Sequence, residues 1–182
     1  MDKETGRQLF HILIGIGALG GLIFLGRGFM IAAIFSTIIF GLLLMNRRLL
    51  GAKIPLIQWF EERFERPDAP LPGWGSACYA TGALIPLTFL HEPAEIAAVL
   101  FILGIGDGIS TLVGSRGRIR MPYNRKKTAE GFVALIVASL PAYKFIGPSF
   151  VPLAFVGAVA ESLPGEDNLT IPILCTAFLL VF

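Results

Sequence analysis

Charged residues are scarce in this sequence. Only 15% of its 182 residues are Asp, Glu, Lys or Arg, whereas soluble domains carry nearer a quarter. The mean hydropathy is +0.73, and uninterrupted apolar runs recur along the whole chain. One soluble core of this size would not need so many of them. The composition therefore argues against an ordinary soluble domain and predicts one all-α membrane domain over residues 1–182, a polytopic helix bundle.

Cysteine is nearly absent as well. Cys78 and Cys175 each lie alone in an apolar segment, and no C-x-x-C occurs, so neither a disulfide nor a redox compartment is predicted. A cleaved signal peptide is not favoured, because Asp2 and Glu4 lie in the would-be basic region and no clear small-x-small cleavage site follows.

Seven apolar segments are separated by turns or charged loops, and they lie at roughly 8–26, 28–46, 75–90, 94–114, 129–146, 148–163 and 169–182. A straight transmembrane helix needs about twenty residues, so the third and last segments are short. Short segments often line a site, because broken backbone at membrane depth survives only beside protein or water. The pattern predicts about seven membrane-spanning segments.

The longest loop contains a second helical pattern. In IPLIQWFEERFERP, four apolar residues recur at helical spacing with charges between them: Leu56, Trp59, Phe60 and Phe64. This pattern predicts an amphipathic helix on the membrane surface. The alternative is a solvated connector.

Positive charge is absent from residues 71–115 and concentrated just after them. Residues 116–127 hold six cations: Arg116, Arg118, Arg120, Arg125, Lys126 and Lys127. Lys and Arg accumulate in cytoplasmic loops, so loop 115–128 and the N-terminus are predicted to be cytoplasmic. This scheme leaves only Arg27 and Lys144 outside, of 15 Lys and Arg residues.

The polar residues in or beside the apolar segments fall on that predicted cytoplasmic side. They are Glu4, Arg7 and His11 at helical spacing, then Asp107, Lys127, Thr128, Glu130, Glu161, Asp167 and Asn168. Carboxylates within membrane spans are costly and usually functional. The glycines around Asp107, at 104, 106 and 108, would let a backbone or a phosphate approach closely. The alternative for Asp107 is a structural partner of a Lys or Arg.

Carboxylates next to a basic loop suit a metal–polyphosphate ligand, since carboxylates hold Mg²⁺ and cations hold phosphates. The alternative is that the loop only sets topology or touches anionic lipid. The chain contains no G-x-x-x-x-G-K-[ST] and no kinase-type glycine-rich loop with an HRD motif, which excludes a P-loop site and a protein-kinase site.

Four stretches resemble the CTP-dependent polyprenol kinases, the family of dolichol kinase, phytol kinase and a CTP-dependent diacylglycerol kinase. ETGRQLFH resembles the family's E-x-x-R-K-x-x-H opening, with Gln8 where Lys is usual. GIGDGISTLVGSRGR resembles its glycine-rich G-D segment, and KKTAEG its K-[ST]-x-E-G element. AVAESLPGEDNLTIP resembles its closing A-x-x-E…D-N-x-x-I-P element. The four stretches span nearly the whole chain in the expected order.

The resemblance implies Mg²⁺-dependent transfer of the γ-phosphate of CTP to the hydroxyl of a membrane isoprenoid alcohol, of polyprenol or dolichol type. Phytol, geranylgeraniol or diacylglycerol are the alternative acceptors. The reaction would take place at the cytoplasmic face of a prokaryotic or archaeal cell membrane. No nucleic-acid partner is predicted, and a homodimer is left open.

The resemblance also implies roles for individual residues. The catalytic set would be Asp107, Lys127, Glu130 and Asp167, with Asp107 and Asp167 as Mg²⁺ ligands and Glu130 either supporting Lys127 or acting as base. The nucleotide would be bound by Gly106, Gly114, Arg116, Arg118, Lys126, Thr128, Glu161 and Asn168. Glu4, Arg7 and His11 would close the site.

Two other functions compete. A CTP:lipid-phosphate cytidylyltransferase would also use CTP, Mg²⁺ and a membrane lipid, but its K-D pair and H-G-G…D-R stretch do not occur here. A small transporter would also combine charge, glycine and short spans. Against it, the polar residues gather at one face, and no inverted repeat is visible.

Overall fold

The computed structural model describes residues 3–65 and 69–182. Within these ranges the chain is helical, and its one extended pairing is a single bridge between Arg120 and Thr128. The helices are α1 (Lys3–Leu49), α2 (Pro55–Phe64), α3 (Trp74–Phe89), α4 (Pro93–Phe101), α5 (Asp107–Gly114), α6 (Ala129–Ser139), α7 (Tyr143–Ile146), α8 (Phe150–Ser162) and α9 (Asp167–Val181). A π-helical segment, Ile102–Gly106, joins α4 to α5. The predicted all-α class is confirmed.

Helix α1 is two arms that fold back on each other at Gly26. This glycine has φ 80° and ψ 168°, a left-handed conformation that costs glycine little. Residues 11 and 41 would lie about 45 Å apart in a straight helix, yet both line one cavity. The turn therefore separates the predicted segments 8–26 and 28–46. Arg27 then fixes it by donating to the carbonyls of Leu87 (2.7 Å) and Thr88 (3.0 Å) in α3.

Three helical stretches of the described ranges are long and apolar enough to cross a membrane: Lys3–Leu49, Pro93–Gly114 and Ala129–Ser162. Helix α9 is apolar but has only 15 residues. These lengths support a membrane protein. Because α1 reverses direction at Gly26, its two arms count as two candidate spans rather than one. The number of about seven spans and the cytoplasmic N-terminus stay predictions.

The stretch Pro93–Gly114 is the centre of the bundle. Two thirds (67%) of its apolar window is buried by protein, against 6% for Lys3–Leu49 and 22% for Ala129–Ser162. The first arm of α1 crosses it closely, since a Cβ added at Gly15 would lie 2.6 Å from the Cα of Gly104. This crossing sets α1 directly against the π-helical segment that precedes Asp107.

The amphipathic helix predicted in the long loop is present as α2. Its apolar face packs on protein, with the ring centroids of Phe60 and Phe64 lying 5.2 and 4.6 Å from that of Phe10 in α1. Trp59 remains 52% exposed. The helix therefore covers the first arm of α1, a contact that its sequence pattern alone did not predict.

Candidate active site

Three buried carboxylates from distant parts of the chain meet at one point. Asp107 is the first residue of α5, Glu161 lies in the last turn of α8, and Asp167 is the first residue of α9. One ligand oxygen from each lies within 4.8 Å of the other two. Asp107 follows the π-helical segment, a local distortion often found at functional sites. We call this group the acidic cluster.

Lys127 reaches the acidic cluster from the basic loop. Its Nζ donates to Glu161 Oε1 at 2.6 Å and to Asp167 Oδ2 at 2.7 Å. Burial alone would lower the pKa of this ammonium, but the nearby charges of Asp167, Asp107 and Glu161 outweigh burial and raise the pKa above its ordinary value. Lys127 is therefore charged throughout the neutral range.

The acidic cluster has the chemistry of a divalent-cation site. When all are ionised, its three carboxylates against the one ammonium of Lys127 leave an excess of two negative charges. Three buried oxygens in this region have no hydrogen-bond partner among the described residues: Glu161 Oε2, Asp167 Oδ1 and Asn168 Oδ1. Leaving buried acceptors unsatisfied is costly, and oxygen donors are the ligands that Mg²⁺ prefers. The residues thus fit Mg²⁺, and Asp107, Glu161 and Asp167 would hold it.

The first turns of α1 meet the acidic cluster through His11. His11 Nε2 lies 3.0 Å from the carbonyl oxygen of Leu103 and 3.5 Å from Asp107 Oδ2. One turn or two earlier, Glu4 accepts from Arg7 (2.5 Å) and from Gln8 (2.9 Å). The structure thus brings His11 beside Asp107, with the Glu4–Arg7 pair on the same helix.

The remaining cations of the basic loop are spread over its surface. Lys127 turns inward, whereas five others are exposed: Arg116, Arg118, Arg120, Arg125 and Lys126. The loop between them is anchored to α8, since Asn124 Nδ2 donates to the carbonyls of Ser162 (3.1 Å) and Leu163 (3.0 Å). Exposed cations in the same loop as Lys127 have the chemistry to bind a phosphate chain.

Glu130 binds the backbone of this loop. Its carboxylate accepts from the amides of Arg118 (2.7 Å) and Ile119 (3.2 Å). These contacts indicate a loop anchor, a role that the sequence did not suggest. The predicted roles of Glu130, as support for Lys127 or as base, stay predictions.

Thr128 and the predicted binding glycines lie at helix junctions. Thr128 caps α6 by accepting from the Gly131 amide and donates to the Gly114 carbonyl at 3.3 Å. A Cβ on Gly106 would lie 2.5 Å from Ser139 Oγ, and one on Gly108 would overlap Ile12 Cγ1. Helix packing therefore accounts for these glycines, and a nucleotide contact at Gly106 or Gly114 stays a prediction.

A cavity of about 500 Å³ adjoins the acidic cluster. Asp107, Asp167 and Asn168 line one part of it, and apolar side chains of both α1 arms, α2 and α3 line most of the rest. Two residues of this wall were not predicted from sequence. Tyr79 packs edge-on against His11 with centroids 4.7 Å apart, and Glu166 accepts from Trp74 Nε1 at 2.9 Å. Tyr79 lies in an apolar run, so no local signal distinguished it.

Known proteins similar to this chain include both archaeal and plant sequences. An uncharacterized protein of Methanocaldococcus jannaschii is 28% identical over 94% of this chain and 90% of its own length. A probable phytol kinase 2 of Oryza sativa is 27% identical over 98% of this chain, and a farnesol kinase of Arabidopsis thaliana is 27% identical over 93%. Both plant proteins are described as chloroplastic.

The match covers only part of these plant relatives. It spans 65% of the length of the rice protein and 62% of that of the Arabidopsis protein. No family profile and no solved structure matches the chain. The similarity nevertheless extends over nearly all of this chain. The named relatives to which this chain is similar, a probable phytol kinase and a farnesol kinase, are therefore isoprenoid-alcohol kinases.

Proposed function

We propose that this protein is a membrane lipid kinase that transfers the γ-phosphate of CTP to the hydroxyl of an isoprenoid alcohol. The observation that carries the proposal is the acidic cluster, which adjoins a basic loop and an apolar cavity. Phosphoryl transfer depends on positioning and charge neutralisation rather than on covalent chemistry by the protein. An anionic donor and an apolar acceptor would meet at this point.

Each part of the site has a role in this proposal. Asp107 and Asp167, joined by Glu161, would hold Mg²⁺, which neutralises phosphate charge when bound. Lys127 fixes the basic loop beside these ligands, and Arg116 and Arg118 bind the β- and γ-phosphates. The alcohol oxygen forms a bond to the γ-phosphorus while the bond from that phosphorus to the bridging oxygen of the β-phosphate breaks. The hydroxyl proton passes to a carboxylate of the cluster, and the products are CDP and a lipid monophosphate.

Transfer of labelled phosphate to lipid tests this function. Purified protein with Mg²⁺ would be given γ-labelled CTP or γ-labelled ATP, and one acceptor at a time: a polyprenol, geranylgeraniol, phytol or diacylglycerol. We expect label on an isoprenoid alcohol from CTP, and none when EDTA removes the cation. If a lipid phosphate is supplied in place of the alcohol, release of pyrophosphate would indicate a cytidylyltransferase instead. Absence of both reactions with every acceptor would contradict the proposal.

The loop-anchor role of Glu130 predicts a specific kinetic change. Glu130→Ala removes the acceptor for two loop amides, and charge-assisted hydrogen bonds are stronger than those between neutral groups. We expect KM for CTP to rise about tenfold or more, with a smaller change in kcat. Glu130→Gln keeps one acceptor oxygen and should be milder.

The same pair of variants distinguishes an anchor from a general base. A base would lose kcat in both variants, because neither Ala nor Gln takes up a proton. Equal collapse of kcat in Glu130→Ala and Glu130→Gln, with KM for CTP unchanged, would rule out the anchor role.

A further inference from the structure

The apolar cavity is built by elements that surround the acidic cluster on one side. The first arm of α1 contributes Phe10, His11 and Ile14. The second arm contributes most residues of the stretch 37–45. Helices α2 and α3 provide the remaining walls. Its volume of about 500 Å³ falls in the usual range for small-molecule pockets.

Helix α2 is held across this cavity along its C-terminal half. Arg48 Nε of the second α1 arm lies 3.5 Å from Glu61 Oε2. Just after the last residue of the helix, Glu65 Oε2 accepts from the amide of Gly73 at 2.7 Å. In the same half, Phe60 and Phe64 pack on Phe10. The aromatic wall is therefore a fixed part of the cavity rather than a loose surface segment.

The cavity wall is mostly apolar, although charged side chains of α1 and α2 also reach it, and one group of polar residues adjoins the acidic cluster. Asp107, Asp167 and Asn168 line it where it meets the acidic cluster, with His11 beside them. Both Asp167 Oδ1 and Asn168 Oδ1 are buried acceptors without a hydrogen-bond partner in the described ranges. A ligand that places a hydroxyl here and hydrocarbon elsewhere would match the cavity, because its hydroxyl can donate to such an acceptor.

We infer that this cavity binds the isoprenoid chain of the acceptor alcohol, with the hydroxyl at Asp167 and Asn168 and the first isoprene units between the α1 arms and α2. The inference rests on the proposed function and adds the site that recognises the chain. Apolar burial is roughly proportional to area, so the chain segment inside the cavity determines acceptor preference. Any units beyond it lie outside and contribute little.

Gly41 allows the cavity to be filled without replacing a side chain. It lines the cavity, and a Cβ added there would meet nothing within 4 Å. Gly41→Leu should therefore fold while obstructing the chain. Gly17→Leu is the matched control, since Gly17 is in the same helix, has equally open surroundings and does not line the cavity. Both substitutions raise helix propensity by similar amounts.

We expect Gly41→Leu to lower kcat/KM for geranylgeraniol and phytol about tenfold, the size of effect that one or two methylenes have in an apolar pocket. For a five-carbon prenol, which fills less of the cavity, the change should be smaller, below about twofold. Gly17→Leu should leave both values unchanged. Equal loss on long and short alcohols, or no loss on either, would overturn the inference.

Photocrosslinking tests the site on the unmodified protein without turnover. Geranylgeraniol carrying a diazirine on its second isoprene unit should label peptides from 37–45 and 57–65. Excess geranylgeraniol should suppress that labelling, and the parent hydrocarbon without a hydroxyl should not. Labelling confined to other helices would reject the chain site even if the kinase assay succeeds. Labelling at the cavity with no phosphate transfer to any alcohol would instead reject the proposed kinase activity.

Discussion

Replacing Asp107 with Asn is expected to reduce kcat for phosphate transfer by about 10²- to 10³-fold, the loss typical when one electrostatic contact to a developing charge is removed (~2.7–4 kcal/mol). Asp107 contributes one of the three oxygens that lie within 4.8 Å of one another. The amide keeps the shape and the ability to hydrogen-bond but removes the charge that a cation needs. The fold should therefore survive while Mg²⁺ binding weakens.

Thermal unfolding gives this prediction a readout that is independent of turnover. A cation that binds only the folded state raises Tm, so Mg²⁺ should stabilise the unsubstituted protein and leave Asp107→Asn nearly unchanged. Glu92→Gln is the matched control, because it removes one carboxylate from an exposed position at the start of α4. Full activity of Asp107→Asn with ordinary Mg²⁺ dependence would show that Asp107 is not a cation ligand.

The positions of the helices were largely predictable because hydrophobic runs and glycines at turns are local signals. The boundary between segments 8–26 and 28–46 coincides with the turn at Gly26, and IPLIQWFEERF forms α2. What the pattern could not supply is how α1 folds onto α2 and α3. The cavity exists only because residues some thirty positions apart in α1 face each other, and that depends on packing rather than on periodicity.

The acidic cluster was predicted in part. Asp107, Glu161 and Asp167 were all singled out because carboxylates beside apolar segments are costly, but only the fold brings oxygens from α5, α8 and α9 together. The glycines near Asp107, in contrast, did not indicate the site correctly. Gly104 and Gly108 looked suited to a phosphate, yet they pack against Gly15 and Ile12 of α1. A missing side chain admits a ligand and a neighbouring helix equally well.

Lys127→Met is expected to destabilise the protein in the absence of Mg²⁺ by about 3–5 kcal/mol, since removing one partner of a buried ion pair leaves the other charge uncompensated. The Lys127 ammonium contacts both Glu161 and Asp167, and the cluster also includes Asp107. Met has a similar length and removes only the charge and the donors. Lys126→Met, an exposed neighbour, should leave the unfolding free energy nearly unchanged.

Magnesium should reverse much of this loss. If the carboxylates require a cation, either the ammonium or Mg²⁺ can provide it, so the Mg²⁺-induced rise in Tm should be larger in Lys127→Met than in the unsubstituted protein. Activity should nevertheless stay low, because the basic loop is no longer fixed beside the cluster. A metal-free Tm equal to that of Lys126→Met would show that the carboxylates do not depend on Lys127.

The pH dependence of the unsubstituted protein follows from the same contacts. The folded-state pKa of Lys127 lies above its ordinary value of 10.5, so the folded state binds this proton more tightly than the unfolded state. The stability that its ion pairs contribute is complete below the ordinary value and is lost as pH rises through the folded-state pKa. The difference in unfolding free energy between the unsubstituted protein and Lys127→Met, measured without Mg²⁺, should therefore not fall between pH 7 and pH 9 and should shrink only under strongly alkaline conditions. A difference that already disappears between pH 7 and pH 9 would mean that Lys127 is not held in its charged form by the acidic cluster.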